Sequence, residues 1–399
     1  MNLQRVVLIG ILVLTSPCPV RAQAELRLIT VPSNPLTQFF GALGISAPSE
    51  DGRVVGGSLP SPAGIEAVIW KRDQGLEPLP LNPDLKQFGA SANAISPDGN
   101  FAAGFYEGIL QSSGEARSPG FRWQDGLGLE SIAASSTSRL NPRAISAGGH
   151  VIAGSIDSSG TNMFRWTASK GLEVFPDFDF SSALDISADG KTIVGVSDDP
   201  AEAERAFRWT ELGGFQTLVD VAPDLTDASR ALRWVEGRAI GMVGTHPFVW
   251  SGDQVDKTDA DLPGVVHGMS ADFSQSAPKL TAILTMTEAG QPDQGMIWTS
   301  DGGLRSVESF LKTELGLANE VAGWTNFGAH TISKNGLHIV GSATTANGAI
   351  TTWIVSVPEP SAFGLATVGI CGLLGGGLRR SVRKCFGTGA SRLRAVEPG

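Results

Sequence analysis

Two runs of carboxylates are the side chains best suited by type to do chemistry. One holds Asp198, Asp199, Glu202 and Glu204 in SDDPAEAE; the other holds Asp253, Asp256, Asp259 and Asp261 in DQVDKTDADLPG. Hard oxygen ligands of this kind suit Ca²⁺, but a calcium loop alternates its ligands and turns on a glycine, and neither run does. Both read as solvated loops between strands. Paired carboxylates can also drive glycoside hydrolysis, at a fixed separation that spacing along a chain does not give. His150, His246, His267, His330 and His338 fall in no base-forming or metal-binding motif, and G-x-S-x-G and H-E-x-x-H are both missing. The cysteines, Cys18, Cys371 and Cys385, lie outside the central body, which removes thiol catalysis, cysteine–zinc sites and disulfides from it. No catalytic residue, metal or cofactor is assigned from sequence.

The elements that would position any site come from a repeat. EDGRVVGGS, AISPDGNFAAGF, AISAGGHVIAGS, DISADGKTIVGV and TISKNGLHIVGS each carry a turn glycine and, five residues on, a strand glycine. The pairs are Gly52/Gly57, Gly99/Gly104, Gly149/Gly154, Gly190/Gly195 and Gly336/Gly341. A tryptophan motif follows, as in GFRW and AFRW, placing Trp70, Trp123, Trp166, Trp209, Trp250, Trp298 and Trp353 between 41 and 55 residues apart. A third motif, GLE or GGF, trails it. Short Val-, Ile-, Phe- and Trp-rich runs between Asp-Gly or Asn-Gly turns predict strands joined by hairpins. A period of roughly 40–50 residues with four strands per unit predicts an all-β chain, a β-propeller of about seven four-stranded blades. The tryptophans are expected in the core between sheets, and the strand glycines where backbones approach closely. Trp234 precedes its turn and breaks the pattern, and the sixth unit lacks the Asp-Gly turn. The last unit lacks a trailing strand, which AELRLITVP near the N-terminus is expected to supply, closing the ring.

RAFRW (Arg205–Trp209) and ISADGKTIVG (Ile186–Gly195) resemble the probable extracellular repeats of the HAF family. That resemblance runs from about Ser46 to Val355 and implies secretion, with no defined enzymatic activity.

Composition agrees with export. With 40 Asp+Glu against 30 Lys+Arg in 399 residues, a broad basic face for nucleic acid is not expected. Arg5, the apolar run 6–14, Pro17 and Pro19, then Ala22-Gln23-Ala24, follow the layout of a signal peptide cleaved after Ala24. An uncleaved anchor is the alternative, for which that apolar run is short against the ~30 Å core of a bilayer.

Near the other end, Pro358-Glu359-Pro360 precedes residues 362–378, which carry no charge, and then Arg379, Arg380, Arg383 and Lys384. Such a span is just long enough to cross a bilayer as a helix, and the basic cluster would stay cytoplasmic. The three-part order resembles the PEP-CTERM sorting signal of Gram-negative bacteria. It implies recognition of Pro358, Glu359 and Pro360 by an exosortase-type membrane enzyme, which removes the helix and passes the body to the envelope, the cell surface or the extracellular matrix. The tail 385–399 and the glycines of the helix depart from that pattern.

The expected domains are a signal peptide (1–24), a repeat propeller (25–356), a sorting signal (357–384) and a short tail (385–399). The expected function is a non-enzymatic binding or structural role outside the cell. The expected partners are signal peptidase, the exosortase-type enzyme, and exopolysaccharide or other envelope proteins. A secreted carbohydrate hydrolase or lyase, or a permanently anchored single-pass protein, is the alternative.

Overall fold

The repeated turn owes its shape to one serine. Ser187 Oγ donates to the Asp189 carboxylate at 2.6 Å and accepts the Thr192 amide N–H at 2.9 Å. Gly190 follows with φ +74°, a conformation that side chains disfavour. The Ser187 hydroxyl, and then the Lys191 amide, hold the Asp189 pKa below its ordinary value. Ser49, Ser96 and Ser333 bind the side chains of Asp51, Asp98 and Asn335 in the same way. The Asp-Gly pairs are therefore hairpin turns, as the sequence predicts.

A computed structural model describes residues 23–31, 44–62, 64–132, 138–157, 161–176, 180–198, 203–287 and 293–358. The signal segment to Ala22, Glu359, Pro360, the 362–378 span, Arg379, Arg380, Arg383, Lys384, the 385–399 tail, Asp199 and Glu202 lie outside these residues.

Between residues 23 and 358 the chain forms seven antiparallel sheets, one per repeat. Six carry four strands on their main path in chain order, the second adding a two-residue strand, Ala116–Arg117. The seventh runs Thr325–Ile332, His338–Thr344, Ile350–Ser356 and then Glu25–Ile29. Glu25 pairs with Ser356 and Ile29 with Thr352, so the N-terminal strand closes the ring. The result is a seven-bladed β-propeller.

Seven apolar clusters fill the seven junctions between successive blades. Every junction takes the repeated tryptophan of the later blade, and all seven rings are buried. Burying an aromatic of this size is among the largest single contributions a core residue makes. Trp250 is the fifth blade's equivalent, while Trp234 sits on that blade's innermost strand, Ser229–Val235. The hairpin after it turns on Glu236-Gly237, both at positive φ.

Two short helical pieces were not foreseen. Leu218–Val221 bridges blades 4 and 5, and Val307–Ser309 runs into a π-helical turn, Phe310–Glu314. Phe310, Leu311, Leu317 and Val321 from this second insertion fill the junction of blades 6 and 7, which explains the longest tryptophan spacing. Among the described residues no helix is long and apolar enough to cross a membrane.

Candidate functional site

The innermost strand of almost every blade contains one residue too many. Pairing slips by one at Asn93, Arg143, Leu184, Leu232, His267 and His330, in blades 2 to 7 respectively. A β-bulge of this kind bends the strand and re-aims a side chain. All six bulged residues line one cavity of about 520 Å³ on the axis of the ring.

The bulge is also what the repeated strand glycine is for. A Cβ at Gly104, Gly154, Gly195 or Gly341 would collide with the carbonyl oxygen two residues before the bulge: Ser91, Asn141, Ser182 and Gly328 respectively. Gly241 meets the Arg230 carbonyl in the same way.

The cavity is cationic although the protein is acidic. Arg139, Arg143, Arg233 and Lys334 line it, against Glu50 and Asp185. Arg139 is engaged: it pairs with Glu107 at 2.7 Å and lies over the Phe105 ring. Lys334, from blade 7, reaches across the axis to blade 4, 2.8 Å from the Asp185 carboxylate and 2.7 Å from the Ile186 carbonyl. Asp185 is 4 % exposed and also accepts the Trp234 amide N–H at 2.8 Å, so its charge is fully committed. This ion pair lies toward the end where the serine turns meet, Glu50 N–H to the Pro97 carbonyl and Ala147 N–H to the Ala188 carbonyl.

Arg143 and Arg233 differ from the other cations. Among the described residues neither has a hydrogen-bond or ion-pair partner, and the Arg233 Nε is buried without an acceptor. Burial first, then neighbouring Arg230, lower the Arg143 pKa against an opposing pull from Asp157; a guanidinium starts so high that it stays charged at neutral pH.

Uncharged polar groups complete the wall. Asn93 Nδ2 donates to Asn141 Oδ1 at 2.9 Å, joining blades 2 and 3. His267 and His330 each place Nε2 2.8 Å from a hydroxyl on the next strand, Thr285 and Ser342. Both rings are open to the channel but enclosed by its walls, and that desolvation lowers both pKa values, with His267 adding to the effect on His330. At neutral pH both are neutral.

The carboxylates singled out from sequence lie elsewhere. Asp198 and Glu204 face each other across a strand pair on blade 4, and Glu204 is taken by Arg230 at 2.6 Å. Asp253 and Asp256 sit at an outer hairpin of blade 5, with Asp259 and Asp261 in the connection after it. No group of three or more His, Cys, Asp or Glu that could hold a metal occurs among the described residues. Ala24 packs against the blade 6–7 core, and Pro358 follows the last strand. His338 lies under the turn at Gly52, not in the channel.

No family model matches the chain, and no curated protein matches it by sequence. Solved structures share its fold at low identity. Oligogalacturonate lyase from Vibrio parahaemolyticus matches at 11 % identity and TM-score 0.50, over 80 % of this chain and 90 % of that one. The β-propeller domain of the Trilobed protease from Pyrococcus furiosus matches at 13 % and 0.49, over 80 % and 97 %. TolB from Acinetobacter baumannii matches at 12 % and 0.39, over 78 % of this chain but 65 % of its own length. The first of these likenesses bears on the fold alone, and the other two carry no argument.

Proposed function

We propose that this is an exported envelope or extracellular-matrix protein whose propeller is a binding module, released by processing at both ends. One observation carries the reading: the ring begins at Glu25 and ends at Ser356, and these two residues pair in one sheet. The expected signal-peptide cut after Ala24 and a cut at Pro358-Glu359-Pro360 both fall outside the seven sheets. Among the described residues, every strand of the ring lies between Glu25 and Ser356. Signal peptidase and an exosortase-type enzyme are the partners this reading requires. The channel, walled by rigid strands, is where a ligand would be held.

Replacing Pro358, Glu359 and Pro360 with alanine tests the sorting half. The variant should accumulate in the inner-membrane fraction of a Gram-negative host that carries an exosortase-type enzyme, while the parent chain reaches the surface or medium. Equal distribution of the two would refute it.

A second reading keeps a carbohydrate hydrolase or lyase on the same scaffold. It is favoured by His267 and His330, neutral rings able to accept a proton, while the channel offers no pair of free carboxylates. Turnover of an oligosaccharide by the purified chain, lost in His267→Gln, would decide for it.

A further inference from the structure

The two unpartnered arginines stand on blades 3 and 5, with blade 4 between them. Among the described residues, the one buried carboxylate of blade 4, Asp185, is neutralised by Lys334. The same wall carries the Asn93–Asn141 amide pair on blades 2 and 3 and the hydroxyl-bonded His267 and His330 on blades 6 and 7, with Glu50 as its other carboxylate. Leu184 and Leu232 are the aliphatic bulged residues.

Ile45, Ile95, Phe105, Ile145, Leu184 and Leu232 add apolar patches to the wall. Two cations on non-adjacent blades, with amide and imidazole groups in the same wall, match a ligand that carries more than one anionic group on hydroxyl-bearing rings. The volume, about 520 Å³, falls inside the ~300–1,000 Å³ range of small-ligand sites.

We propose that the channel binds an anionic oligosaccharide, with Arg143 and Arg233 each holding an acidic group on a different sugar and the Asn93–Asn141 pair contacting hydroxyls. The inference rests on the binding-module reading above. Forked guanidinium–oxyanion contacts of this kind are strong and geometrically selective. Carboxylate and sulfate present the same oxyanion chemistry to a guanidinium, and the test separates them.

The experiment titrates the whole detergent-solubilised chain with trigalacturonate, a sulfated galactose trimer, maltotriose and citrate, by calorimetry. One of the two charged trimers should bind, and which one does names the acidic group; maltotriose and citrate should bind at least about tenfold more weakly. Affinity for the charged trimer should fall severalfold as NaCl rises from about 0.05 M to about 0.5 M, as screening requires. The double variant Arg143→Gln, Arg233→Gln should lose at least about tenfold in affinity, whereas Lys312→Gln, on the outer helical turn, should lose none. Binding of maltotriose or citrate as tight as the charged trimers, no binding of either trimer, or salt-independent affinity would overturn the proposal without any variant. Altering Pro358–Pro360 should leave this binding unchanged, so sorting and ligand class fail separately.

Discussion

The guanidinium of Arg165, in blade 3, lies 5.6 Å from the centre of the Trp209 ring in blade 4. Arg122 stands over Trp166 and Arg208 over Trp250 in the same relation, and Lys71 covers Trp123. Each cation belongs to one blade and each ring to the next. Arg165 also pairs with Glu173 of its own blade at 2.8 Å, and Arg122 with Glu130 at 3.0 Å. The Arg-Trp dipeptide and the GLE motif are thus parts of one device that ties neighbouring blades together.

A double-mutant cycle on Arg165→Met and Trp209→Leu, read by denaturant unfolding, should give a coupling energy of about 0.5–2 kcal/mol. Trp209→Ala alone should cost about 3–5 kcal/mol through the cavity it leaves. Strict additivity in the cycle would mean the stacking contributes nothing.

Lys334→Met leaves the Asp185 carboxylate buried without its counter-charge. Removing one partner of such a pair costs about 3–5 kcal/mol, here toward the lower end because Lys334 is itself 19 % exposed. Adding Asp185→Asn, which keeps an acceptor for the Trp234 N–H, should recover part of the loss. A Lys334→Met protein as stable as its parent would show that the cross-channel pair is dispensable.

The ring and its turns were legible because they repeat. Trp209, Gly190 and Gly195 recur at matching places in other units, so their common role stands out. The channel was not legible, for the opposite reason. Asn93, Arg143, Leu184 and His330 stand three residues before the turn serine, and His267 at the matching bulge of blade 6, yet they share no chemistry. A position that varies inside a repeated motif carries no periodic signal, although it is where a rigid scaffold displays ligand contacts. The usable clue was Gly195 and its counterparts, whose lack of a side chain accommodates the bulge. The insertion at Val307–Glu314 escaped because pieces this short have no helical period to read.

Acid should weaken the fold through histidine. His338 is buried, with Nδ1 3.1 Å from Ser356 Oγ; burial, and then Arg72, lower its pKa from 6.5. His267 and His330 are lowered too. An unfolded chain takes up protons that the folded one resists, so this stability is complete above about pH 6.5 and falls below it. Melting temperature should decline from pH 7.5 to 5, above the range where carboxylates such as Asp189 titrate. His338→Gln should flatten the decline; a slope unchanged by the substitution would assign it elsewhere.

Deleting Glu25–Val31 strips the outer strand from blade 7 and removes Ile29, which is 1 % exposed. Loss of that strand's hydrogen bonds and burial should cost several kcal/mol and open a sheet edge. Thermal unfolding measures it. Unchanged stability would contradict closure by the N-terminal strand.

The most direct test of the whole account is the intact mass of the protein recovered from the cell surface or medium of a Gram-negative host with an exosortase-type system. The account predicts a species that begins at Glu25 and lacks the 362–378 span with everything after it. A surface species that retains 362–399, or one cut between Glu25 and Ser356, would contradict it.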